Sequence, residues 1–313
     1  MSSKKLTLCV LGCGTMGVAI LQGIQDTLDK TATDGDYAQA TGYPHAFIAT
    51  CSQEESQVKL NRIFEGRADT VVMCGENAEA VGKADVVLLW TGCGNFYVSP
   101  YLIYLCPISS TKPQAAKSIL DDKDVYLALT DKCMVSICAG VTISQLQGWV
   151  PASTTVIRAM PNTPCMIREG MTVLSCPPKT SPDYKTFASN VFSTLGRCRF
   201  LEEKHLDAVT ALSGSGPAFA CVILEALADG GVMMGLSRDV ATELAAQVLR
   251  GAAGMVLNTG MHPAAVKDGV TTPGGCTIAG LLTMEDGKIR STLARTVQEA
   301  TRVASTLGKE PAK

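Results

Sequence analysis

The chain has 313 residues, and 46% of them are hydrophobic, which supplies enough apolar surface for two domains of ordinary size. Its 27 basic and 29 acidic residues leave a formal net charge of -2. This balance gives no electrostatic reason to expect nucleic acid or an anionic membrane as a partner, so a small molecule is the expected partner.

The cysteines indicate packing rather than metal chemistry. The 13 cysteines include no CxxC pair, and none of the three histidines lies at ligand spacing from a cysteine, so we expect no metal site. The odd cysteine count and the lack of a secretory leader predict a reducing, cytoplasmic location with thiols buried as small hydrophobic groups. The sequence contains no run of 18 apolar residues free of charge, so we expect no membrane span.

Short apolar runs alternate with helical patterns through the first part of the chain. The predicted strands are residues 6–11, 47–50, 70–74, 86–90, 134–139, 155–160, 171–175 and 199–201. Such alternation is typical of βαβ units, so residues 1–201 are predicted to form an α/β domain around a mostly parallel sheet.

A glycine-rich segment follows the first predicted strand directly and opens a helical pattern over residues 18–28. It consists of Gly12, Cys13, Gly14, Thr15, Met16 and Gly17. Glycines at this spacing allow a tight turn, a close approach of the backbone to a pyrophosphate, and close packing of the following helix. The segment predicts a Rossmann-type, doubly wound domain that binds NAD(P); an ordinary strand-to-helix turn is the alternative.

The residues after the second predicted strand bear on the choice of cofactor. NAD-binding domains usually carry an acidic residue there for the ribose hydroxyls, whereas this chain has Ser52. NADPH is therefore the expected cofactor and NADH a possible one, although Glu54 and Glu55 follow closely. Lys59 and Arg62 could contact a 2′-phosphate, or could lie on a solvated helix face.

The pattern changes beyond Glu202, where apolar residues recur at helical spacing over residues 207–234, 238–257 and 288–307. Ser237 and Asp239 suit the start of the second helix, and Gly260 suits its exit. Residues 208–236 are apolar on nearly every face, so we expect this helix to lie between two chains of a homodimer or higher homo-oligomer. A helix buried inside one monomer is the alternative.

Three segments carry a family resemblance: residues 158–164 (RAMPNTP), 211–218 (ALSGSGPA) and 271–277 (TTPGGCT). With them the chain resembles pyrroline-5-carboxylate reductases over nearly its whole length. The resemblance implies hydride transfer from NAD(P)H to the cyclic imine 1-pyrroline-5-carboxylate, giving L-proline in the last step of proline biosynthesis. It also implies that residues 202–313 form an all-α dimerisation and substrate domain, with each active site between subunits.

The resemblance also assigns site residues by motif match. Cofactor contacts would fall on Gly12, Cys13, Gly14, Thr15, Met16, Gly17, Ser52, Asn77, Lys112 and Pro113. Substrate contacts would fall on Glu169, Gly275, Cys276 and Thr277, of which Thr277 would be the catalytic residue and Glu169 a positioning residue.

Imine reduction needs a hydride donor and groups that bind and orient the substrate, but no strong base. The turn that ends at Thr277 precedes a helical pattern over residues 278–284, so its backbone N–H groups could hold a carboxylate while the Thr277 hydroxyl bonds the imine nitrogen. Alternatively, Thr277 only caps the helix. The SGSGP segment, residues 213–217, predicts a kink that either packs helices closely or shapes the pocket floor near the nicotinamide.

The chain departs from the family pattern at two places. Gly269 stands where an asparagine is usual, and residues 91–111 separate Trp90 from the Lys112-Pro113 pair that usually follows the fourth strand. This segment has no charged residue and no clear period, so we interpret it as a poorly packed insertion or a gene-model artefact, with a real loop as the alternative.

Two other functions remain open on sequence grounds. A β-hydroxyacid dehydrogenase would use a lysine on the alcohol, for which Lys267 is the candidate. A non-enzymatic nucleotide-binding protein would keep the glycine segment but would not need the substrate turn at 271–277.

Overall fold

The computed structural model describes residues 6–33, 42–90, 98–99, 102–103 and 113–307. They form two compact units: Met1–Gly214 together with Thr301–Lys313, and Ser215–Ala300. Residues 202–214, which the sequence assigns to the helical domain, therefore belong to the first unit, as do residues 301–307.

The first unit is built on one eight-stranded sheet with the order β10-β9-β8-β7-β4-β1-β2-β3. Its strands are β1 (Leu6–Leu11), β2 (Pro44–Cys51), β3 (Thr70–Cys74), β4 (Val86–Leu89), β7 (Cys133–Ser136), β8 (Thr155–Met160), β9 (Gly170–Ser175) and β10 (Gly196–Phe200). The six neighbouring strands β3, β2, β1, β4, β7 and β8 are parallel to one another. β9 is antiparallel to β8, and β10 is parallel to β9. This is the predicted doubly wound sheet, and its order is the one that places a dinucleotide across the sheet's carboxyl edge.

Alternation along the strands builds a core on each face of the sheet. On β1, Leu8 and Val10 face one core, while Cys9 and Leu11 face the other. The first core is covered by α1 (Thr15–Thr33), α2 (Glu54–Ile63) and α7 (Pro182–Ser193), and the second by α3 (Asn77–Lys83), α4 (Pro113–Leu120), α5 (Lys123–Ala128) and α6 (Ile143–Trp149). A sheet buried on both faces explains why its strands read as nearly continuous apolar runs.

The segment at 91–111 lies largely outside the described residues. Within it, β5 (Val98–Ser99) and β6 (Leu102–Ile103) pair antiparallel with each other in a sheet of their own, apart from the eight-stranded sheet. The interpretation of the segment as an insertion or artefact stays a prediction.

The SGSGP segment lies where the predicted helix changes its winding. After a 3-10 turn at Glu203–His205, α8 (Leu206–Val209) continues into a single π-helical turn, Thr210–Gly214, which we call the π-turn. A bend at Ser215 follows, and α9 (Gly216–Met233) begins with Pro217 in its first turn. The predicted kink is therefore a π-turn, a form that occurs often at functional sites.

The second unit consists of helices. After α9 come α10 (Arg238–Thr259), α11 (Pro263–Gly269), α12 (Cys276–Asp286) and α13 (Ile289–Ala304), of which residues 301–304 are assigned to the first unit. α9 and α10 pack through small side chains, Ala228 against Ala241 and Ala245. Ser237 is the N-cap residue of α10 but makes no side-chain cap, and Gly260 ends that helix in the left-handed conformation as expected.

Two helical stretches are long and apolar enough to cross a membrane by length and composition, Glu203–Met233 and Arg238–Thr259. Only 11% of each apolar window is buried within the chain. On α9 the buried residue is Ala228, which favours a helix covered by another chain over one buried inside a monomer.

Candidate active site

The glycine segment forms a tight turn at the carboxyl end of β1. Gly12 adopts φ +75°, and its N–H donates to Thr50 Oγ1 at 3.1 Å. A Cβ at Gly12 would overlap the Trp90 carbonyl oxygen, so both the backbone conformation and the space require glycine there.

The other two glycines are fixed by close neighbours. A Cβ at Gly17 would lie 2.9 Å from Val10 Cγ1, which shows how closely α1 packs on β1. A Cβ at Gly14 would lie 3.0 Å from the Trp90 indole nitrogen. Trp90 therefore borders the glycine segment at the end of β4, a contact that no local sequence pattern predicts.

The first turn of α1 provides a site suited to a pyrophosphate. The helix begins at Thr15, and the first helical hydrogen bond runs from Val18 N–H to the Gly14 carbonyl at 2.9 Å. The N–H groups of Thr15, Met16 and Gly17 thus precede the helical ladder and point out of the helix end toward positions where an anion is stabilised.

Ser52 and Asn77 lie at neighbouring strand ends on the same edge. Ser52 follows β2 and is exposed, and Asn77 is the first residue of α3 after β3. The two ends are joined by a hydrogen bond from Gly75 N–H to the Cys51 carbonyl at 3.0 Å. The structure therefore brings the glycine segment, Ser52 and Asn77 to the carboxyl edge of β1, β2 and β3.

Charged groups near Ser52 do not favour a single cofactor. Glu54 and Glu55 lie in the first turn of α2, and the side chains of Lys59 and Arg62 are exposed on the same helix. Lys112 lies outside the described residues, and Pro113 is the first residue of α4.

Thiols beneath this edge remain protonated near neutral pH. Burial raises the pKa of Cys13 well above its usual range, and burial together with a hydrogen bond to Cys74 raises the pKa of Cys51 to about 11. These thiols act as small packing groups, since only a thiolate is strongly nucleophilic.

Two buried polar residues, one on β8 and one just after it, form hydrogen bonds to several other elements. Arg158, buried on β8, pairs with Glu203 at 3.1 Å, and the same carboxylate oxygen accepts the Ile143 N–H at 2.7 Å. Asn162 is also buried; its Oδ1 accepts the Met171 N–H at 2.9 Å, and its Nδ2 donates to the Ser213 carbonyl at 3.1 Å. In the sequence both residues are visible only as members of the 158–164 motif.

Glu169 lies between the 3-10 turn Thr163–Ile167 and β9 and is exposed. Its N–H donates to the Pro164 carbonyl at 3.1 Å, and the preceding Arg168 adopts φ +61° and pairs with Asp26. Glu169 belongs to the first unit, whereas the other predicted substrate residues belong to the second.

The turn at 271–277 ends in an open helix N-terminus. Gly274 adopts φ +67°, and a Cβ at Gly275 would overlap Thr272 Oγ1. Gly275 occupies the N-cap position of α12 with no side-chain cap, so the N–H groups of Cys276 and Thr277 open the helix. Thr277, at the second helical position, is therefore not the N-cap residue of α12.

No group of three or more His, Cys, Asp or Glu side chains in the described part of the chain is arranged to hold a metal ion. Backbone N–H groups at the two helix N-termini are instead the main polar features of the predicted cofactor and substrate sites.

The strand order, the glycine segment and the helical second unit define a dinucleotide-binding α/β protein of the Rossmann class. Residues 203–307 match the family model described as pyrroline-5-carboxylate reductase dimerisation. The pyrroline-5-carboxylate reductase of Schizosaccharomyces pombe is 44% identical over 301 residues, covering 96% of this chain and 99% of the relative. That of Neurospora crassa is 40% identical, covering 100% and 96%.

Solved structures agree in fold. A pyrroline-5-carboxylate reductase from Coxiella burnetii has a TM-score of 0.78 and 26% identity, covering 98% of this chain and 100% of its own. A Plasmodium falciparum pyrroline carboxylate reductase with NADP bound has a TM-score of 0.73 and 24% identity, covering 98% and 100%.

The chain belongs to the pyrroline-5-carboxylate reductase family, as its motifs predicted. Its reaction is the NAD(P)H-dependent reduction of 1-pyrroline-5-carboxylate to proline. The dehydrogenase and non-enzymatic alternatives are thereby set aside.

Proposed function

We propose that NADPH is the preferred hydride donor, that the N-terminus of α12 holds the substrate carboxylate, and that the Thr277 hydroxyl bonds the imine nitrogen. The uncapped N-terminus of α12 supports the substrate site most directly. Backbone N–H groups and the helix dipole there favour a carboxylate, and Gly274 and Gly275 allow it to come close to the backbone.

The reaction requires little proton chemistry from the protein. When bound, the reduced nicotinamide supplies the hydride. Addition of a hydride to the carbon of a protonated imine moves the π electron pair to nitrogen and leaves a neutral amine, which takes up a proton from water. A hydroxyl that orients the nitrogen is therefore sufficient, and the proposal gives this role to Thr277, two residues past the N-cap of α12.

The preference for NADPH rests on Ser52. A serine can donate a hydrogen bond to a 2′-phosphate and brings no negative charge against it, whereas an acidic residue would repel it. The Plasmodium falciparum structure holds NADP, which agrees with this proposal.

The working form is proposed to be a homodimer or higher homo-oligomer in the cytoplasm, without nucleic acid or membrane as partner. The apolar windows of Glu203–Met233 and Arg238–Thr259 lie within the matched dimerisation region and are little buried in one chain. A second subunit would cover them.

A spectrophotometric assay tests the cofactor proposal. Oxidation of NADPH and NADH is followed at saturating 1-pyrroline-5-carboxylate, and kcat/KM should be higher for NADPH. A higher kcat/KM for NADH would refute the preference, and inactivity with both cofactors would refute the site as a whole.

A further inference from the structure

The π-turn contains a carbonyl that its own helix cannot pair. In a continuing helix, the Ser213 carbonyl would accept the N–H of the residue four positions later. That residue is Pro217, which has no N–H. The carbonyl is partly buried, where an unpaired acceptor costs free energy, so a donor from another segment stabilises the turn.

Asn162 supplies the missing donor. Its Nδ2 lies 3.1 Å from the Ser213 carbonyl, and its Oδ1 is held by the Met171 N–H at 2.9 Å. Because the Met171 N–H can only donate, it requires the oxygen on its side and thereby turns the amide nitrogen toward Ser213. Pro217 removes the donor that the helix would supply, and Asn162 donates to the Ser213 carbonyl in its place.

A second contact fixes the same turn. A Cβ at Gly214 would lie 3.0 Å from Met160 Cε, so the last residue of β8 packs against the last residue of the π-turn. Through Asn162 and Met160, the π-turn is held at the carboxyl end of β8 by both a polar and an apolar contact.

The π-turn is not satisfied by the chain alone. Ser213 Oγ is a buried hydroxyl without a hydrogen-bond partner among the described residues. Such a group calls for an ordered water or a bound molecule to pair it. The Ser213 hydroxyl can therefore form a hydrogen bond that no described residue provides.

The position of the π-turn connects it to the reaction. In this strand order the first mononucleotide half of a dinucleotide site is built on β1, β2 and β3, and the second half on β4, β7 and β8. In a dinucleotide site of this kind the nicotinamide would lie on the second half, toward the carboxyl ends of β4, β7 and β8.

We propose that Asn162 is a positioning residue for hydride transfer. Its hydrogen bond keeps the π-turn in a fixed position on the side of the site where the nicotinamide would bind. This inference rests on the reductase activity described above. It assigns no proton transfer to Asn162, whose effect passes through the Ser213 carbonyl.

Two substitutions of Asn162 test the role. Asn162→Asp keeps an acceptor for the Met171 N–H but loses the donor to Ser213, and Asn162→Ala loses both. Turnover per NADPH-binding site should fall about tenfold in each, while the Kd for NADPH changes less than about threefold. The deuterium isotope effect on kcat, measured with NADPH labelled at the transferred position, should rise because hydride transfer becomes more rate-limiting.

Pro217→Ala provides the matched test of the cause. Alanine restores an N–H four residues beyond Ser213, which can donate to that carbonyl. In the Pro217→Ala background, Asn162→Ala should therefore cost less turnover than it does in the wild-type background.

The outcomes are separable. Wild-type inactivity would overturn the assigned function, and the inference with it. If the wild type is active, an unchanged kcat per binding site in Asn162→Asp would overturn the positioning role even if the melting temperature falls. Equal losses from Asn162→Ala in both backgrounds would overturn the link to Pro217.

Discussion

Contacts at single atoms define the turn at residues 271–277. A side chain at Gly275 would overlap Thr272 Oγ1, and Gly274 has a left-handed φ. These constraints leave the N–H groups of Cys276 and Thr277 at the open end of α12. The hydroxyl of Thr277 is then the group whose loss tests the chemistry without disturbing the turn.

Thr277→Ala should lower turnover roughly tenfold to a hundredfold, because one positioning hydrogen bond is worth about 1 to 3 kcal/mol. Cofactor affinity should stay unchanged, since the glycine segment belongs to the other unit. Steady-state kinetics and NADPH titration provide the measurement.

Thr283→Ala is the matched control, since this threonine lies on the same helix and its hydroxyl only bonds the Ala279 carbonyl at 3.2 Å. It should keep wild-type turnover. If Thr277→Ala and Thr283→Ala behave alike in turnover and KM, the substrate site has been placed on the wrong residue.

Ser52→Asp should shift cofactor selectivity toward NADH. A carboxylate at the end of β2 would bond the two ribose hydroxyls of NADH and repel the 2′-phosphate of NADPH, so the ratio of kcat/KM for NADPH to that for NADH should fall at least about tenfold. Asn61→Asp adds the same charge at an exposed position on α2 and should leave the ratio near wild type. A ratio equal in both variants would argue against Ser52 as the ribose contact.

At the element scale, the sequence predicts the sheet well where apolar runs coincide with strands. β1, β3 and β8 have the predicted bounds, because apolar residues recur along each of them, although β8 also carries the buried Arg158 and Val71 on the edge strand β3 is 55% exposed. β10 begins at Gly196 rather than at residue 199, since Arg197 and Arg199 are exposed on this edge strand and break the apolar run. α1 begins at Thr15, inside the glycine segment, rather than at residue 18.

Contacts between distant segments account for what the sequence does not predict. The motifs at 158–164 and 211–218 are visible in the sequence, but no local pattern shows that Asn162 bonds the Ser213 carbonyl or that Arg158 pairs with Glu203. The glycine segment, Ser52 and Asn77 lie at one edge because parallel strands end there, which follows from the fold class. Tertiary pairing of buried polar groups does not follow from it.

The Arg158 and Glu203 pair gives an element-scale prediction, since it joins β8, the N-terminus of α6 and the segment leading into α8. Glu203→Ala would leave a buried guanidinium and the Ile143 N–H without their acceptor. We expect the free energy of unfolding to fall by about 2 to 3 kcal/mol, less than for a fully buried pair because Glu203 is partly exposed.

Urea unfolding at fixed protein concentration measures this loss. Glu202→Ala is the control, because the adjacent Glu202 pairs with Lys204 at the surface, with exposures of 73% and 65% for the two side chains. That substitution should change stability by less than about 0.5 kcal/mol. Equal effects at Glu202 and Glu203 would show that the buried pair contributes nothing beyond a surface one.

At the scale of the whole molecule, the apolar surface of the second unit requires an explanation. On α10, Val240, Leu244 and Val248 recur every four residues and form a stripe on one side of the helix, with exposures of 41%, 52% and 62%. α9 is buried only at Ala228. A chain of this kind would associate in water, and the matched dimerisation region points to a second copy as the covering surface.

Val248→Glu should therefore weaken the homo-oligomer. A carboxylate placed in an apolar interface loses its hydration without gaining a partner, which costs at least about 3 kcal/mol and should raise the dissociation constant more than about a hundredfold.

Val58→Glu is the control, because Val58 on α2 in the first unit is also 62% exposed but lies outside the matched region. Sedimentation velocity at micromolar concentration should show the wild type and Val58→Glu as oligomers and Val248→Glu shifted toward monomer, with lower turnover since the family resemblance places each active site between subunits. A wild-type protein that sediments as a fully active monomer would contradict both the interface and the shared site, whereas an oligomeric Val248→Glu would show that the interface does not use this side of α10.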